Sequence, residues 1–234
     1  MKSTVEQIRE RFDNDVERFS NLETGQSATV DAPLSLDLIA KAAAAANPLA
    51  TAILDIGCGA GNYTLRLLQE LPIVDVTLVD LSQRMLERAV ARIRPVASGE
   101  VKAVQSDIRA LDLGESQFDI VIAAAVFHHL RDEGEWDQVF SKCHSALRPG
   151  GSLWISDLIQ HSHPGIQETM WGRYGDYLTG LRDSAYGDQV FAYIEQEDTP
   201  RPLLFQIDML RKVGFRDIEI LHKNSCFAAF GAIK

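Results

Sequence analysis

Residues 51–80 read TAILDIGCGAGNYTLRLLQELPIVDVTLVD, and the fold follows from how that run is punctuated. Ala52 to Ile56 is an apolar run too short and too abruptly ended for a helix, so it predicts a buried strand. Gly57, Cys58, Gly59, Ala60 and Gly61 follow, and so many glycines permit positive φ and a close approach to the backbone that a Cβ would obstruct. Leu65, Leu67 and Leu68 predict a helix whose free N–H groups point back at the turn. Val76 to Val79 predicts a second strand, with Asp80 at its carboxyl end. Ligands of parallel sheets bind beyond the carboxyl ends of strands, so the glycine turn and Asp80 are expected to face one pocket.

An acid about twenty residues past such a turn can accept hydrogen bonds from ribose hydroxyls, in nucleotide-binding folds of several chemistries. Two details narrow the choice. The dinucleotide fingerprint GxGxxG would need glycine at position 62, where this chain has Asn62. Asp55 lies inside the strand just before the turn, where a carboxylate repels a pyrophosphate but not a sulfonium bearing an ammonium group.

Ahead of this unit, Val5, Ile8, Phe12, Val16 and Phe19 recur at helical spacing and predict one amphipathic helix, read either as packing against the domain or as a lid over a ligand. A polar connection over residues 20–30 leads to a second helix, announced by Asp31 and Pro33 and stopped by Asn47 and Pro48. After Asp80, a helix over 83–94 carries Arg84, Arg88 and Arg92 in a row, which reads as a solvated face. Val101 to Val104 and Phe118 to Ala123 predict further strands, the second continuous enough in apolarity to be buried on both faces. Trp136, Val139, Phe140, Cys143 and Leu147 mark a helix ended by Pro149-Gly150-Gly151, which is expected to turn the chain into a strand at Leu153 to Ile155, with Asp157 past its end. Leu203 to Val213 predicts a last helix, and the remaining residues predict two strands around Lys223-Asn224-Ser225.

LDIGCGAGNYT followed by VTLVDLSQRML resembles motifs I and II of the class I S-adenosylmethionine-dependent methyltransferases. QSDIRAL, FDIVIAAAVFHHL and ALRPGGSLWISD are similar to later motifs of that family, and they occur in its order. The resemblance implies an α/β fold with a Rossmann-like, doubly wound seven-stranded sheet whose last strand is antiparallel. It implies a single domain over 1–234: N-terminal helices over 1–47, a cofactor core over 48–158, a substrate-side insertion over 159–202, and a final helix and hairpin over 203–234. The implied cofactor is S-adenosylmethionine, leaving as S-adenosylhomocysteine. Asp80 would bind ribose, Gly57, Gly59 and Gly61 would admit the cofactor, Asp107 would accept from the adenine amino group, and Ile108 N–H would serve the ring. Asp55, Cys58, Leu81, Met85, Ser106 and Ala124 complete the expected cofactor pocket. Read by residue type alone, Asp107 is a turn acid.

His128 and His129 are the candidate proton acceptors, because histidine titrates near neutrality. Adjacent residues point in different directions on a helix, so no metal site is expected from the pair. His161 and His163 form an HxH pair without a third ligand at suitable spacing, and no metal is expected there either. Within 160–202, Trp171, Tyr174, Leu178 and Leu181 share a helical face. Trp171, Tyr174, Tyr177, Tyr193 and Arg201 are the candidate acceptor-binding residues, since an insertion after the fifth strand lies over the pocket mouth. Glu195, Glu197, Asp198 and Arg201 read as surface caps and pairs.

A formal net charge of −10 over 234 residues disfavours a nonspecific grip on nucleic acid or an anionic membrane. No apolar run reaches the length of a membrane span, the first residues are too charged for a signal peptide, and Cys58, Cys143 and Cys226 are too few and scattered for a disulfide framework. These features predict a cytoplasmic protein with a small-molecule acceptor; the assembly, a homodimer included, is open. The rival readings are a tRNA-modifying or carboxy-S-adenosylmethionine synthase-like relative, a cofactor-binding module without turnover, and a nicotinamide-dependent oxidoreductase.

Overall fold

The computed structural model describes residues 2–21 and 26–234, so part of the polar connection expected over 20–30 lies outside the described residues. Seven strands form one sheet in the order β3-β2-β1-β4-β5-β7-β6: β1 Ala52–Ile56, β2 Asp75–Asp80, β3 Val101–Gln105, β4 Phe118–Ala124, β5 Leu147–Leu158, β6 Arg216–Asn224 and β7 Phe227–Ile233. β1 to β5 pair in parallel, and β7 inserts antiparallel between β5 and β6. The order reverses direction between β1 and β4, and at such a switch point the loops at the carboxyl ends diverge and leave a crevice.

Both faces of this sheet are covered, and the sequence shows why. Successive residues of a strand point to opposite faces. Leu54, Ile56, Val121, Leu153 and Ile155 pack on one side with Trp136, Phe140 and Leu210, contributed by helices α6 Glu133–Ala146 and α9 Leu203–Val213. The alternate residues Ile53, Ile120, Ile122 and Trp154 pack on the other with Ile39, Leu67 and Ile93 from α3 Ala32–Ala46, α4 Asn62–Leu67 and α5 Gln83–Ile93. The apolar residues of β1 and β4 therefore form two interleaved stripes, each buried, interrupted by Asp55 and Asp119.

Two expectations are corrected. The N-terminal stripe forms two helices, α1 Val5–Asn14 and α2 Val16–Ser20, because Asp15 leaves helical geometry at φ −109°, ψ 14°. Pro149-Gly150-Gly151 does not precede the strand as a turn but lies within β5. The pairing of β4 with β5 jumps from Phe118↔Leu147 to Ile120↔Ser152, and that irregularity accommodates a proline with no N–H to donate.

Between β5 and α9, helices α7 Pro164–Leu181 and α8 Ser184–Glu197 pack against each other over Leu158, Val30 and Cys226. Tyr174 and Leu178 are the buried members of the α7 stripe, while Leu181 is exposed. Tyr174 Oη donates to the Ala28 carbonyl and Tyr177 Oη to the Ser27 carbonyl, each at 2.8 Å, which ties the segment ahead of α3 to α7. Among the described residues, no helix is long and apolar enough to cross a membrane.

Candidate active site

The carboxyl ends of β1 to β5 open on one cavity of about 570 Å³, within the range of small-molecule sites. Its floor begins at the glycine loop. Gly57 has φ +63°, and a Cβ there would stand 2.2 Å from Val126 Cγ2, so the residue is held to glycine by both backbone and packing. Gly59 has φ +50° and nothing within 4 Å of where a Cβ would be, so its exposed backbone borders the cavity. Gly61 differs. It lies outside the cavity wall, and its missing Cβ makes room for Ile93 and Ala89 of α5.

Asp80 anchors the loop from the end of β2. Its Oδ2 accepts from Gly59 N–H and its Oδ1 from Ser82 N–H, both at 2.8 Å, leaving each oxygen one further lone pair toward the cavity. Burial raises its pKa to about 6 against the opposing effect of these hydrogen bonds. Asp55 is buried in β1, accepts from Thr64 Oγ1 at 2.6 Å, and is pushed by burial to about 7. Cys58 also lines the cavity, but burial and the neighbouring Asp80 and Asp55 raise its thiol well above the usual range, so it stays protonated.

Leu81, Met85, Ser106, Asp107, Ile108 and Ala124 all line the same cavity. The Asp107 carboxylate is already engaged: it accepts from Arg109 Nε at 3.0 Å and from Arg109 Nη2 at 2.6 Å. Ala125, just beyond β4, takes φ +56°, a conformation that a residue with a Cβ adopts at some cost and that clusters at functional sites.

Beyond the switch point the cavity becomes polar. Phe127–His129 form a single 3-10 turn, and its tighter winding brings the two imidazoles together, with ring centroids 4.3 Å apart. The expectation that neighbouring histidines diverge is thereby overturned. Asp157, at the end of β5, receives His128 N–H at 3.1 Å through Oδ2 and pairs with His128 Nδ1 through Oδ1. Asp198, following α8, reaches the other side: its Oδ1 lies 3.7 Å from His128 Nε2 and 3.2 Å from His129 Nδ1. Neither His129 ring nitrogen has an aligned hydrogen-bond partner, nor does Asp198 Oδ1. Burial alone would lower His128, but Asp157 and Asp198 outweigh it and raise the ring to about 9. His129 is lowered, by burial and then by His128.

Glu197 and Asp198 correct the reading of that acidic run as surface. Both are buried, at 6% and 4% exposure, because the N-terminal helices lie over them. Arg11 of α1 grips Glu197 through Nε and Nη2, the latter at 2.9 Å, and its guanidinium lies between the Phe12 and Tyr193 rings. Thr199 N–H donates to the His128 carbonyl at 2.6 Å, which ties the Asp198 loop to the histidine turn.

The arginine row of α5 is exposed at Arg84 and Arg88, as a solvated face requires, and half-buried at Arg92, yet it also makes tertiary contacts. Arg84 donates to the Asp13 carbonyl, Arg88 to Ser20 Oγ, and Arg92 to the Ala60 carbonyl and Asn62 Oδ1, so the row docks α1, α2 and the glycine loop. Asn62, standing where a third fingerprint glycine would be, donates through Nδ2 to the Phe19 carbonyl. Phe12, Phe19, Arg11 and Arg18 thus form one wall of the cavity.

Of the aromatic residues singled out in the insertion, Tyr174 and Tyr193 line the cavity, joined by Tyr186. Tyr177 and Arg201 do not, and Trp171 faces a separate cleft beside Phe191 and Gln167. Arg201 lies over the Phe205 ring. His161 Nε2 is 3.1 Å from Lys223 Nζ, and His163 precedes α7.

Comparisons with known proteins agree with this architecture. A methyltransferase domain family model matches residues 53–151. The chain is 31% identical over 190 residues to the demethylmenaquinone methyltransferase of Lactococcus lactis subsp. lactis (strain IL1403), covering 78% of this chain and 73% of that one. It is 24% identical over 183 residues to the carboxy-S-adenosyl-L-methionine synthase of Nautilia profundicola, covering 78% and 76%. Among solved structures it resembles the Burkholderia thailandensis 1,6-didemethyltoxoflavin-N1-methyltransferase bound to 1,6-didemethyltoxoflavin and S-adenosylhomocysteine, with a TM-score of 0.64, 17% identity, and coverage of 100% of this chain and 92% of that one. The chain belongs to the class I S-adenosylmethionine-dependent methyltransferases, a family of enzymes whose methyl donor is S-adenosylmethionine. It spans little more than half the length, 52% and 58%, of other curated relatives that it matches.

Proposed function

We propose that this protein transfers a methyl group from S-adenosylmethionine to a small-molecule acceptor, with donor and acceptor held in the one cavity. The observation that carries this reading is the continuity of that cavity from Asp80 and the glycine loop to the His128–His129 turn, beneath α1, α2 and α8. When bound, S-adenosylmethionine supplies a methyl group activated by its sulfonium, and S-adenosylhomocysteine is what remains.

The donor pocket fits that group. Asp80 keeps lone pairs for ribose hydroxyls, and Gly57 and Gly59 clear the space a side chain would occupy. Asp55 and Asp80 give this end a negative potential suited to a sulfonium and an ammonium. The Ala124 carbonyl is assigned to the ammonium, and Ile108 N–H to the adenine. Asp107 is assigned to the exocyclic amine through a lone pair that Arg109 leaves free, or through Arg109 as its anchor. Leu81 and Met85 supply the apolar contact.

Because the departing thioether is neutral, the chain's work is alignment and exclusion of water. α1 and α2 are assigned the second task. An acceptor carrying O–H or N–H must also lose a proton, and His129, whose ring is lowered by burial and by His128, is the group placed to take it, while His128, raised to about 9 between Asp157 and Asp198, already carries its own near neutrality. Tyr174, Tyr186 and Tyr193 are assigned to the acceptor's apolar body. The enclosed shape and the net charge of −10 favour a small molecule over RNA, and three buried free cysteines suit the cytoplasm.

A second reading, a relative that makes or uses a derivatised cofactor, has the similarity to the carboxy-S-adenosyl-L-methionine synthase behind it. Incubation with methyl-labelled donor and a size-fractionated cell extract separates the two. Label appearing in the low-molecular-weight fraction is the expected result; label in RNA or protein, or none at all with a derivatised cofactor retained, overturns the proposal.

A further inference from the structure

The geometry points to a divalent transition-metal site at the acceptor end of the cavity, formed by His128 Nε2, His129 Nδ1 and one Asp198 carboxylate oxygen. It deepens the methyltransferase reading and rests on it for the claim that an acceptor oxygen would complete the coordination.

His128, His129 and Asp198 each offer one ligand atom within 4.8 Å of the other two. For metal–ligand bonds of about 2.0 to 2.1 Å in a tetrahedron, ligand atoms stand roughly 3.3 to 3.4 Å apart. The separations of 3.2 Å from Asp198 Oδ1 to His129 Nδ1 and 3.7 Å to His128 Nε2 bracket that edge. An ordinary hydrogen-bonded cluster would leave its atoms aligned with one another, whereas Asp198 Oδ1 and both His129 ring nitrogens are buried without an aligned partner. Such atoms are costly to bury unless something else satisfies them.

The surroundings are those of a metal-binding histidine. His128 Nδ1 pairs with Asp157 on the side away from Asp198, which orients Nε2 inward as an acceptor when Nδ1 carries the proton. Two carboxylates, Asp157 and Asp198, flank the two imidazoles, a grouping that suits a divalent ion, while the neighbouring Arg11 is paired with Glu197. Two imidazoles and one carboxylate suit Zn²⁺, Fe²⁺ or Mn²⁺ better than Mg²⁺ or Ca²⁺. A position facing the cavity remains for an acceptor bearing an oxygen donor, such as a phenol, enol or hydroxy-carbonyl compound.

The test uses the full chain without an affinity tag and CoCl2 alone, read by visible absorption and by broadening of histidine ring resonances in NMR. One Co²⁺ per chain, with absorption more intense than that of the hydrated ion and broadening at His128 and His129, is expected. His129→Gln and Asp198→Asn should abolish the absorption, Asp157→Asn should weaken binding roughly 10- to 100-fold, and His163→Ala should change nothing. Near-UV circular dichroism establishes that each variant is folded; if one is not, the broadening pattern of the wild-type protein decides alone. Spectra like those of the hydrated ion, absorption that persists in folded His129→Gln, or broadening confined to His161 and His163 would overturn the proposal. S-adenosylhomocysteine binding, measured separately without metal, tests the methyltransferase reading, so a chain that binds this product but no Co²⁺ keeps that reading and loses the ion.

Discussion

Asp55 lines the cavity and carries a cost in stability. It is buried in β1 with Thr64 as a hydrogen-bond donor and has its pKa raised from an ordinary carboxylate value to about 7. A raised acid pKa means that folding favours the protonated form. The corresponding stability is fully present below about pH 4 and is lost as pH rises toward 7, and Asp80 behaves alike up to about 6. Asp55→Asn keeps an acceptor for Thr64 but removes the ionisation. In the absence of cofactor, urea unfolding should therefore find this variant more stable than wild type at pH 8, on the order of a few kcal/mol, and close to it at pH 4. Parallel stability curves across that range would show that Asp55 is not the group responsible. At this scale the position of Asp55, Asp80, Gly57 and Gly59 beside the cavity was legible, because position at a strand end and the lack of a Cβ are local facts, whereas Gly61 packs against α5 instead. Asp198 was not: it stands 70 residues beyond His128, and a run of acids in an acidic chain looks the same whether solvated or buried.

Among the elements, the strands of the core could be read from short apolar runs and the helices between them from apolar spacing, with glycine ending β1 and α9. What could not be read is where α1 and α2 lie. Their apolar stripe is visible, but its partner is set by side chains far away in sequence: Arg84 and Arg88 on α5, Asn62 after the glycine loop, and Glu197 after the insertion. The Arg11–Glu197 pair is the strongest of these ties, since both side chains are largely buried, at 21% and 8% exposure. Arg11→Ala leaves Glu197 without its counter-charge, which should cost about 3 kcal/mol in denaturant unfolding. The same variant should release S-adenosylhomocysteine faster in stopped-flow measurements and lose hydrogen-exchange protection in α1. Unchanged stability and release would mean that these helices merely pack on the surface.

For the whole molecule, the strand order places the glycine loop, Asp80 and Asp107 over β1, β2 and β3 and the histidine cluster over β4 and β5, with the reversal of winding between them. Family motifs run through both parts, FDIVIAAAVFHHL and ALRPGGSLWISD carrying His128, His129 and Asp157, so what the sequence did not show is that Glu197, Asp198 and the N-terminal helices close over that end. The insertion and the N-terminal helices wall the histidine end of the cavity, and nothing local in their sequence says that they meet. The central claim, that this cavity receives an adenosyl sulfonium compound through Asp80, is tested most directly by calorimetric titration of wild type and Asp80→Ala with S-adenosylhomocysteine, with NAD as the comparison ligand. The account predicts one S-adenosylhomocysteine per wild-type chain, no competing NAD binding, and a loss of about 1 to 3 kcal/mol in the variant. Equal affinity in the two proteins, or a preference for NAD, would contradict it.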